Sequence, residues 1–142
     1  FGEYGVGRMD TDTTTGKEGH RKILDAFRRR EINVLIGTQM IAKGHDFPEV
    51  TLVGILSADA SLFMQDFRSN ERTYQLLTQA MGRAGRGINK GKVIIQTYNP
   101  DHFIMDVIKY NKQQVFYDQE LKNRKVMGYP PYTHIFSILV YK

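Results

Sequence analysis

Residues 79–87 of the sequence, QAMGRAGRG, combine side chains that bind phosphate with glycines at helical spacing. Because a helix turns by about 100° per residue, Gln79, Arg83 and Arg86 project from the same side of a helix. An arginine guanidinium can donate two parallel hydrogen bonds to phosphate oxygens. The pattern fits a polyphosphate contact made by two fixed arginines, and it equally fits a basic helix end in solvent.

The opposite side of the same predicted helix is apolar. Tyr74, Leu77 and Met81 fall there, as expected for a helix that packs on a core. Gly82 and Gly85 each weaken a helix by about 1 kcal/mol relative to alanine, so we predict that the helix ends near them. Glycines also allow a ligand to approach the backbone closely.

A second stretch with suitable chemistry is 37–48, GTQMIAKGHDFP, which directly follows a predicted strand. The Thr38 hydroxyl and the Lys43 ammonium suit a phosphate backbone. Gly44 leaves room for a ligand, and Asp46 could bind a ribose hydroxyl or orient an arginine. Taken alone, the stretch is better explained as a capped loop with a solvated lysine. Taken with the arginine stretch, a ligand site is the better interpretation.

Several other sites are excluded by spacing. A Walker A loop ends in Gly-Lys-Ser/Thr, but 91–93 reads GKV and 16–18 reads GKE. Asp59 follows an apolar strand and could be a magnesium ligand, yet no phosphate loop accompanies it, which favours a turn aspartate. The four histidines are far apart and there is no cysteine, so we predict neither a metal site nor a disulfide.

Short apolar runs alternate with helical patterns along the chain, which predicts an α/β fold. The predicted strands are 5–10, 33–37, 51–56 and 92–97. Such a fold has a parallel sheet with helices on both faces, and ligands bind beyond the carboxyl ends of its strands.

The predicted helices surround these strands. A first helix runs to about Arg30, with Ile23, Leu24 and Phe27 on one face. A second is capped by Ser69 or Asn70. The region 102–125 is helical and can be divided into two helices. We interpret Arg28–Arg30 as cations at a helix C-terminus rather than as a DNA contact.

Composition narrows the class of partner. The 142 residues carry a net charge of +5 and a pI near 9.5, which favours an acidic partner, nucleic acid first. The apolar runs are too short to span a membrane. The chain begins with Phe1 and ends in the apolar run 135–141, so we expect it to be part of a longer protein.

These stretches resemble a known family. Residues 37–47 are similar to motif V of superfamily-two helicases, and 79–86 to motif VI. Four further stretches resemble the bacterial primosomal replication-restart helicases: 8–13, 58–59, 66–72 and 129–132. The resemblance implies a RecA-like second lobe in residues 1–127 and the start of a following C-terminal domain in 128–142.

The resemblance also implies roles in ATP hydrolysis. Arg86 would be the arginine finger on the γ-phosphate, Arg83 the second phosphate-side arginine, and Gln79 would stand beside them.

The same resemblance assigns the second stretch to two ligands. Gly44 and Asp46 would face the nucleotide cleft, whereas Thr38 and Lys43 would contact the DNA backbone.

The implied enzyme is an ATP-dependent 3′-to-5′ DNA helicase that restarts stalled replication forks in the bacterial cytoplasm, at the nucleoid. ATP and Mg²⁺ would be shared with a first lobe that this sequence lacks, so the chain alone would be inactive. The zinc-binding cysteine insertion of the family is also absent. Implied partners are forked or single-stranded DNA, primosome proteins and single-stranded-DNA-binding protein, with no membrane.

Two alternatives remain open. One is a lobe of another superfamily-two translocase, of the branch-migration type. The other is a non-enzymatic nucleic-acid-binding module that uses 28–30 and the glycine-arginine stretch.

Overall fold

Four short strands and four α-helices form the regular part of the described chain. The computed structural model describes residues 4–9, 17–38, 47–84 and 91–140. In chain order the elements are β1 (Val6–Met9), α1 (Lys17–Arg28), β2 (Val34–Gly37), β3 (Leu52–Ile55), a 3₁₀ helix (Ala60–Phe63), α2 (Ser69–Met81), β4 (Lys92–Ile95), α3 (Phe103–Lys109) and α4 (Gln113–Met127). The predicted α/β class is confirmed. β1 and β2 each begin one residue later than predicted, β3 is one residue shorter at each end, and β4 ends two residues earlier.

The first strand pair is parallel. β1 pairs with β2 so that Val6 lies opposite Val34 and Met9 opposite Gly37. Helix α1 follows β1 in the chain, and Gly7 permits close packing beside the strand. A Cβ atom at Gly7 would lie 2.9 Å from Ile23 Cγ2.

The second strand pair joins β3 to β4. Lys92 N donates to Thr51 O, and Gln96 N donates to Ile55 O, both at 2.8 Å. The partners advance together along both strands, as in a parallel pair. The parallel arrangement that the sequence predicts is confirmed, and within the described residues the strands form these two pairs.

The chain divides into two compact units. Unit 1 holds the described residues up to Val53 and those from Gln79 to Val93, and unit 2 holds Gly54–Thr78 and the described residues from Ile94 onward. The division cuts β3, β4 and α2, so each of these elements contributes to both units.

The core of unit 1 forms around α1. Met9, Leu24 and Phe47 are buried together, and the rings of Phe27 and Phe47 meet edge to face at 5.0 Å. Ile23 packs against this cluster, which confirms the predicted apolar face of α1.

The three arginines at the C-terminal end of α1, residues 28–30, form ion pairs with carboxylates. The pairs are Arg28–Asp25 at 3.3 Å, Arg29–Glu31 at 2.7 Å and Arg30–Glu49 at 2.8 Å. These contacts support the interpretation of a helix end over that of a DNA contact.

The core of unit 2 is helical. Tyr74 of α2 stacks on Phe116 of α4 with ring centroids 4.1 Å apart, and Leu77 and Ile104 are fully buried. The predicted core side of α2 is therefore confirmed at Tyr74 and Leu77, whereas Met81 is half-buried. The predicted division of 102–125 is confirmed too, because the chain turns at Asn111, where φ is 51°.

None of the helices in the described ranges has the length and apolar character needed to cross a membrane.

Candidate functional site

The structure describes Thr38, Gln79 and Arg83, all of which belong to unit 1. The other predicted site residues lie outside the described part of the chain: Lys43, Gly44, Asp46 and Arg86. The roles assigned to all seven of these residues, inside or outside the described ranges, stay predictions.

Arg83 is held on a continuation of α2. The helix ends at Met81, and Arg83 N donates to Ala80 O at 3.1 Å while Ala84 N donates to Met81 O at 3.2 Å. Bonds of this i to i−3 type tighten the end of a helix. The predicted end of the helix near Gly82 is confirmed, and the backbone of Arg83 is fixed to the last helical turn.

The side chain of Arg83 is partly enclosed by protein. The residue is half-buried, and its Nε atom is hidden from solvent. Gln79, one turn earlier on the same helix, is exposed. The end of α2 thus presents an exposed amide and an arginine whose inner nitrogen is covered, instead of two freely solvated polar side chains.

Thr38 stands at a strand end. It is exposed and immediately follows Gly37, the last residue of β2, which lies opposite Met9 of β1. In parallel α/β sheets ligands bind beyond the carboxyl ends of strands. Thr38 therefore lies at the carboxyl end of the β1–β2 pair, the edge at which the sequence analysis predicts a ligand.

Asp59 is a buried turn residue, 1% exposed. Burial alone would raise the pKa of its carboxyl group. Backbone N–H groups, including that of Tyr98 at 2.9 Å, and the Thr97 hydroxyl donate to the carboxylate, and the net pKa lies below the usual value. These bonds fasten the turn after β3 to the segment after β4. The turn-aspartate interpretation accounts for them, and no cluster of metal-ligating side chains occurs among the described residues.

The stretch 66–72 is occupied by its own ion pairs. Arg68 donates to Asp66 through its backbone N at 2.9 Å and through Nε at 3.2 Å, and Arg72 Nη1 lies 2.8 Å from the same carboxylate. The Arg68 guanidinium lowers the pKa of Asp66. These contacts fix the backbone at the start of α2, and the charged side chains of this stretch are paired with one another.

Sequence reasoning missed Arg124 on α4, whose side chain is only 14% exposed and which contacts the first turn of α2. The spacing of Glu120 and Arg124, four residues apart on a helix, was the available local signal. Nothing local indicates the partner 53 residues away, Glu71.

Comparison with known proteins places this chain in a family. The pattern of the helicase conserved C-terminal domain matches residues 2–87. The chain is also similar to curated proteins named "Replication restart protein PriA". It is 52% identical over 133 residues to that of Bacillus subtilis strain 168, which covers 94% of this chain and 16% of the relative. It is 50% identical over 125 residues to that of Synechocystis, with 88% and 15% covered.

The third comparison, with the protein of the same name from Haemophilus influenzae, gives 44% identity over 133 residues, with 94% of this chain and 18% of the relative covered. The chain therefore spans about a sixth of the length of the curated relatives it matches. The family pattern covers more than half of the chain and includes every residue of the candidate site. The chain belongs to the helicase conserved C-terminal domain family.

Proposed function

We propose that this chain is the second motor lobe of an ATP-dependent DNA helicase that works in replication restart. The observation that carries the proposal is the family match over 2–87, because that span contains all the candidate site residues. The names of the similar relatives support the restart process. The 3′-to-5′ direction of movement is part of the proposal.

The proposed chemistry places ATP between this lobe and a first lobe. Arg83 and Arg86 reach the phosphates and stabilise the charge that develops on the transferring phosphoryl group, with Gln79 beside them. An arginine finger of this kind contributes about 10³-fold or more to turnover. In this proposal ATP and Mg²⁺ are shared between the two lobes.

The proposed DNA contact lies at the end of β2. Thr38 and Lys43 bind the phosphate backbone, and Gly44 and Asp46 face the nucleotide. Such phosphate contacts fix the position of a protein on DNA without reading sequence. Closure of the two lobes around ATP then moves the DNA-binding residues Thr38 and Lys43, and this movement translocates the protein along DNA.

The wider context is proposed on the same basis. Residues 1–127 form the lobe and 128–142 begin the next domain. The partners are forked or single-stranded DNA, primosome proteins and single-stranded-DNA-binding protein, in the bacterial cytoplasm. Zinc, if the longer protein binds it, is held outside this chain, which has no cysteine.

The test uses the full-length protein that contains this lobe. Arg83→Ala and Arg86→Ala should each lower the kcat of DNA-stimulated ATP hydrolysis by about 10³-fold, while the Kd for forked DNA stays close to the wild-type value. Arg21→Ala is the matched control, because that arginine is exposed and its ion-pair distance to Asp25 is long, at 3.9 Å. Wild-type turnover in both site variants, or a loss of DNA binding that accounts for the whole effect, would contradict the proposal.

A further inference from the structure

The segment that follows α4 folds back onto the helix end. Gly128 adopts a left-handed conformation, with φ 65° and ψ 44°, and Tyr129 N donates to Arg124 O at 2.8 Å. The Thr133 hydroxyl donates to Gly128 O at 2.5 Å. Residues 128–133, here called the junction, are therefore bonded to the end of α4 through Tyr129 and closed into a turn by the bond between Thr133 and Gly128.

The guanidinium group of Arg124 fastens this junction to two helices. Its Nε donates to Glu120 at 2.9 Å on α4, and its Nη2 donates to Glu71 at 2.7 Å in the first turn of α2. Its Nη1 donates to the carbonyl of Pro130 at 3.3 Å. Every nitrogen of the group thus bonds a different acceptor. A planar guanidinium can serve three acceptors in this way, whereas a lysine ammonium offers a single point.

Two aromatic rings, those of Phe67 and Tyr129, pack beside the Arg124 guanidinium. Arg124 Cζ lies 5.2 Å from the ring centroid of Phe67, the residue two positions before α2 begins. Tyr129 stacks on that ring at 5.3 Å with an interplanar angle of 26°. Asn70 donates to the second oxygen of Glu120 at 3.3 Å, so the carboxylate that orients Arg124 is itself held by α2. All of these residues belong to unit 2.

We propose that Arg124 is a positioning residue that makes the junction a rigid strut between α2 and the chain beyond it. Prolines 130 and 131 fix their own φ angles, and the guanidinium and the Phe67 ring hold their flanks. A linker that allows free domain movement has none of these restraints. The strut therefore carries movement of this unit into the following domain. This last step rests on the proposed helicase function.

A distance measurement tests the strut without any enzyme assay. The sequence has no cysteine, so Thr78→Cys on α2 and His134→Cys after the junction place two nitroxide labels at chosen positions. Both residues are exposed and belong to unit 2. We expect a single narrow distance distribution in the parent, and loss of that narrow maximum with Arg124→Ala.

Lys122→Ala is the matched control, because it removes the same charge from an exposed position of the same helix. Phe67→Leu removes the ring and leaves the ion pairs, so it decides the matter if circular dichroism finds Arg124→Ala unfolded. A narrow distribution in folded Arg124→Ala overturns the strut. If Arg124→Ala is unfolded, a narrow distribution in Phe67→Leu overturns it instead.

The second measurement tests, in the full-length protein, whether the junction transmits movement of unit 2 to the following domain. Arg124→Ala and Phe67→Leu should lower the number of base pairs opened per ATP hydrolysed, while kcat for ATP and KM stay near the wild-type values. A lower kcat with an unchanged ratio would mean that Arg124 only stabilises the fold, and would overturn the transmission role. A wild-type protein without DNA-stimulated ATP hydrolysis would instead refute the proposed function, and the distance result would still stand.

Discussion

At the scale of single residues, the structure separates polar side chains that hold the fold from those available to a ligand. Asp59 and Arg124 are enclosed and fully engaged, whereas Thr38 and Gln79 are exposed at element ends. Arg83 lies between these cases, with a covered Nε on a half-buried side chain. A residue type and its spacing therefore identify a candidate, and burial decides which use it has.

The ionised carboxylate of Asp59 should make the stability of the fold decrease as the pH falls into the acidic range. Its pKa is lowered in the fold, so its contribution is present above the unfolded pKa of about 3.9 and is lost as pH falls further. Asp59→Asn should lower the melting temperature at pH 7, because an amide NH₂ would face backbone donors such as Tyr98 N. Thermal melts from pH 7 to pH 2.5 should show the difference from wild type shrinking at the acidic end.

The exposed carboxylate of Asp118 on α4 provides the control. Asp118→Asn should lower the melting temperature at pH 7 by less than Asp59→Asn does. An Asp59→Asn difference that stays constant down to pH 2.5 would mean that ionisation of Asp59 does not stabilise the fold.

Arg124 should also carry a measurable share of stability. Removing one member of a partly buried ion pair leaves the other charge without its partner, which costs about 3 kcal/mol. Arg124→Ala should lower the free energy of unfolding in urea by about that amount, and Lys122→Ala by less than about 0.5 kcal/mol. Equal effects from the two substitutions would contradict the contacts of Arg124.

At the scale of elements, local pattern predicted the helices and strands well and their ends less well. The apolar spacing of Ile23, Leu24 and Phe27 indicated α1, and the glycine at 82 indicated where α2 ends. Strand ends were harder, because β4 stops at Ile95 whereas the predicted strand ran on through Gln96 to Thr97. Just past this end the Gln96 side chain accepts a hydrogen bond from Ser57 N, a contact between positions 39 residues apart that local pattern does not indicate.

The end of α4 gives a prediction at this scale. Gly128 has a positive φ, so Gly128→Ala should cost about 1 kcal/mol through backbone strain. Gly54 in β3 is the matched control, because a Cβ there would meet no atom of the described residues within 4 Å. Gly54→Ala should therefore be neutral or slightly stabilising in a urea titration. Equal losses from the two substitutions would argue against the left-handed conformation of Gly128.

At the scale of the whole molecule, long-range partners limited what sequence could predict. The parallel pairing of β1 with β2 followed from pattern, but the bond between Arg124 and Glu71 joins positions 53 residues apart. Spacing predicted that Gln79 and Arg83 lie on the same helix end, and the cover over Arg83 Nε was not predicted, because it depends on tertiary packing.

The chain by itself should not hydrolyse ATP. The sequence contains no Walker A loop, so the proposed site is completed only by a first lobe. We expect no phosphate release above background from the purified chain, with or without single-stranded DNA. Turnover that co-purifies with the chain and disappears in Arg83→Ala would contradict this expectation.

Binding of DNA by the chain alone should be weak, despite a net charge of +5. Arg28, Arg29 and Arg30 are paired with carboxylates, which leaves fewer cations for phosphate. A fluorescence anisotropy titration should give a small slope of log K against log salt concentration. A steep slope that becomes shallow in an Arg28→Ala, Arg29→Ala, Arg30→Ala triple variant would favour the non-enzymatic binding module.

The stacked tyrosines have a spectroscopic consequence. The sequence has no tryptophan, and Tyr74 and Tyr129 of unit 2 each stack on a phenylalanine, whereas Tyr4 of unit 1 is exposed. The near-ultraviolet circular dichroism of this chain therefore reports chiefly on unit 2, and the far-ultraviolet signal reports on the helices of both. Melting curves recorded in the two spectral regions will coincide if the units unfold cooperatively and will separate if one of them melts first.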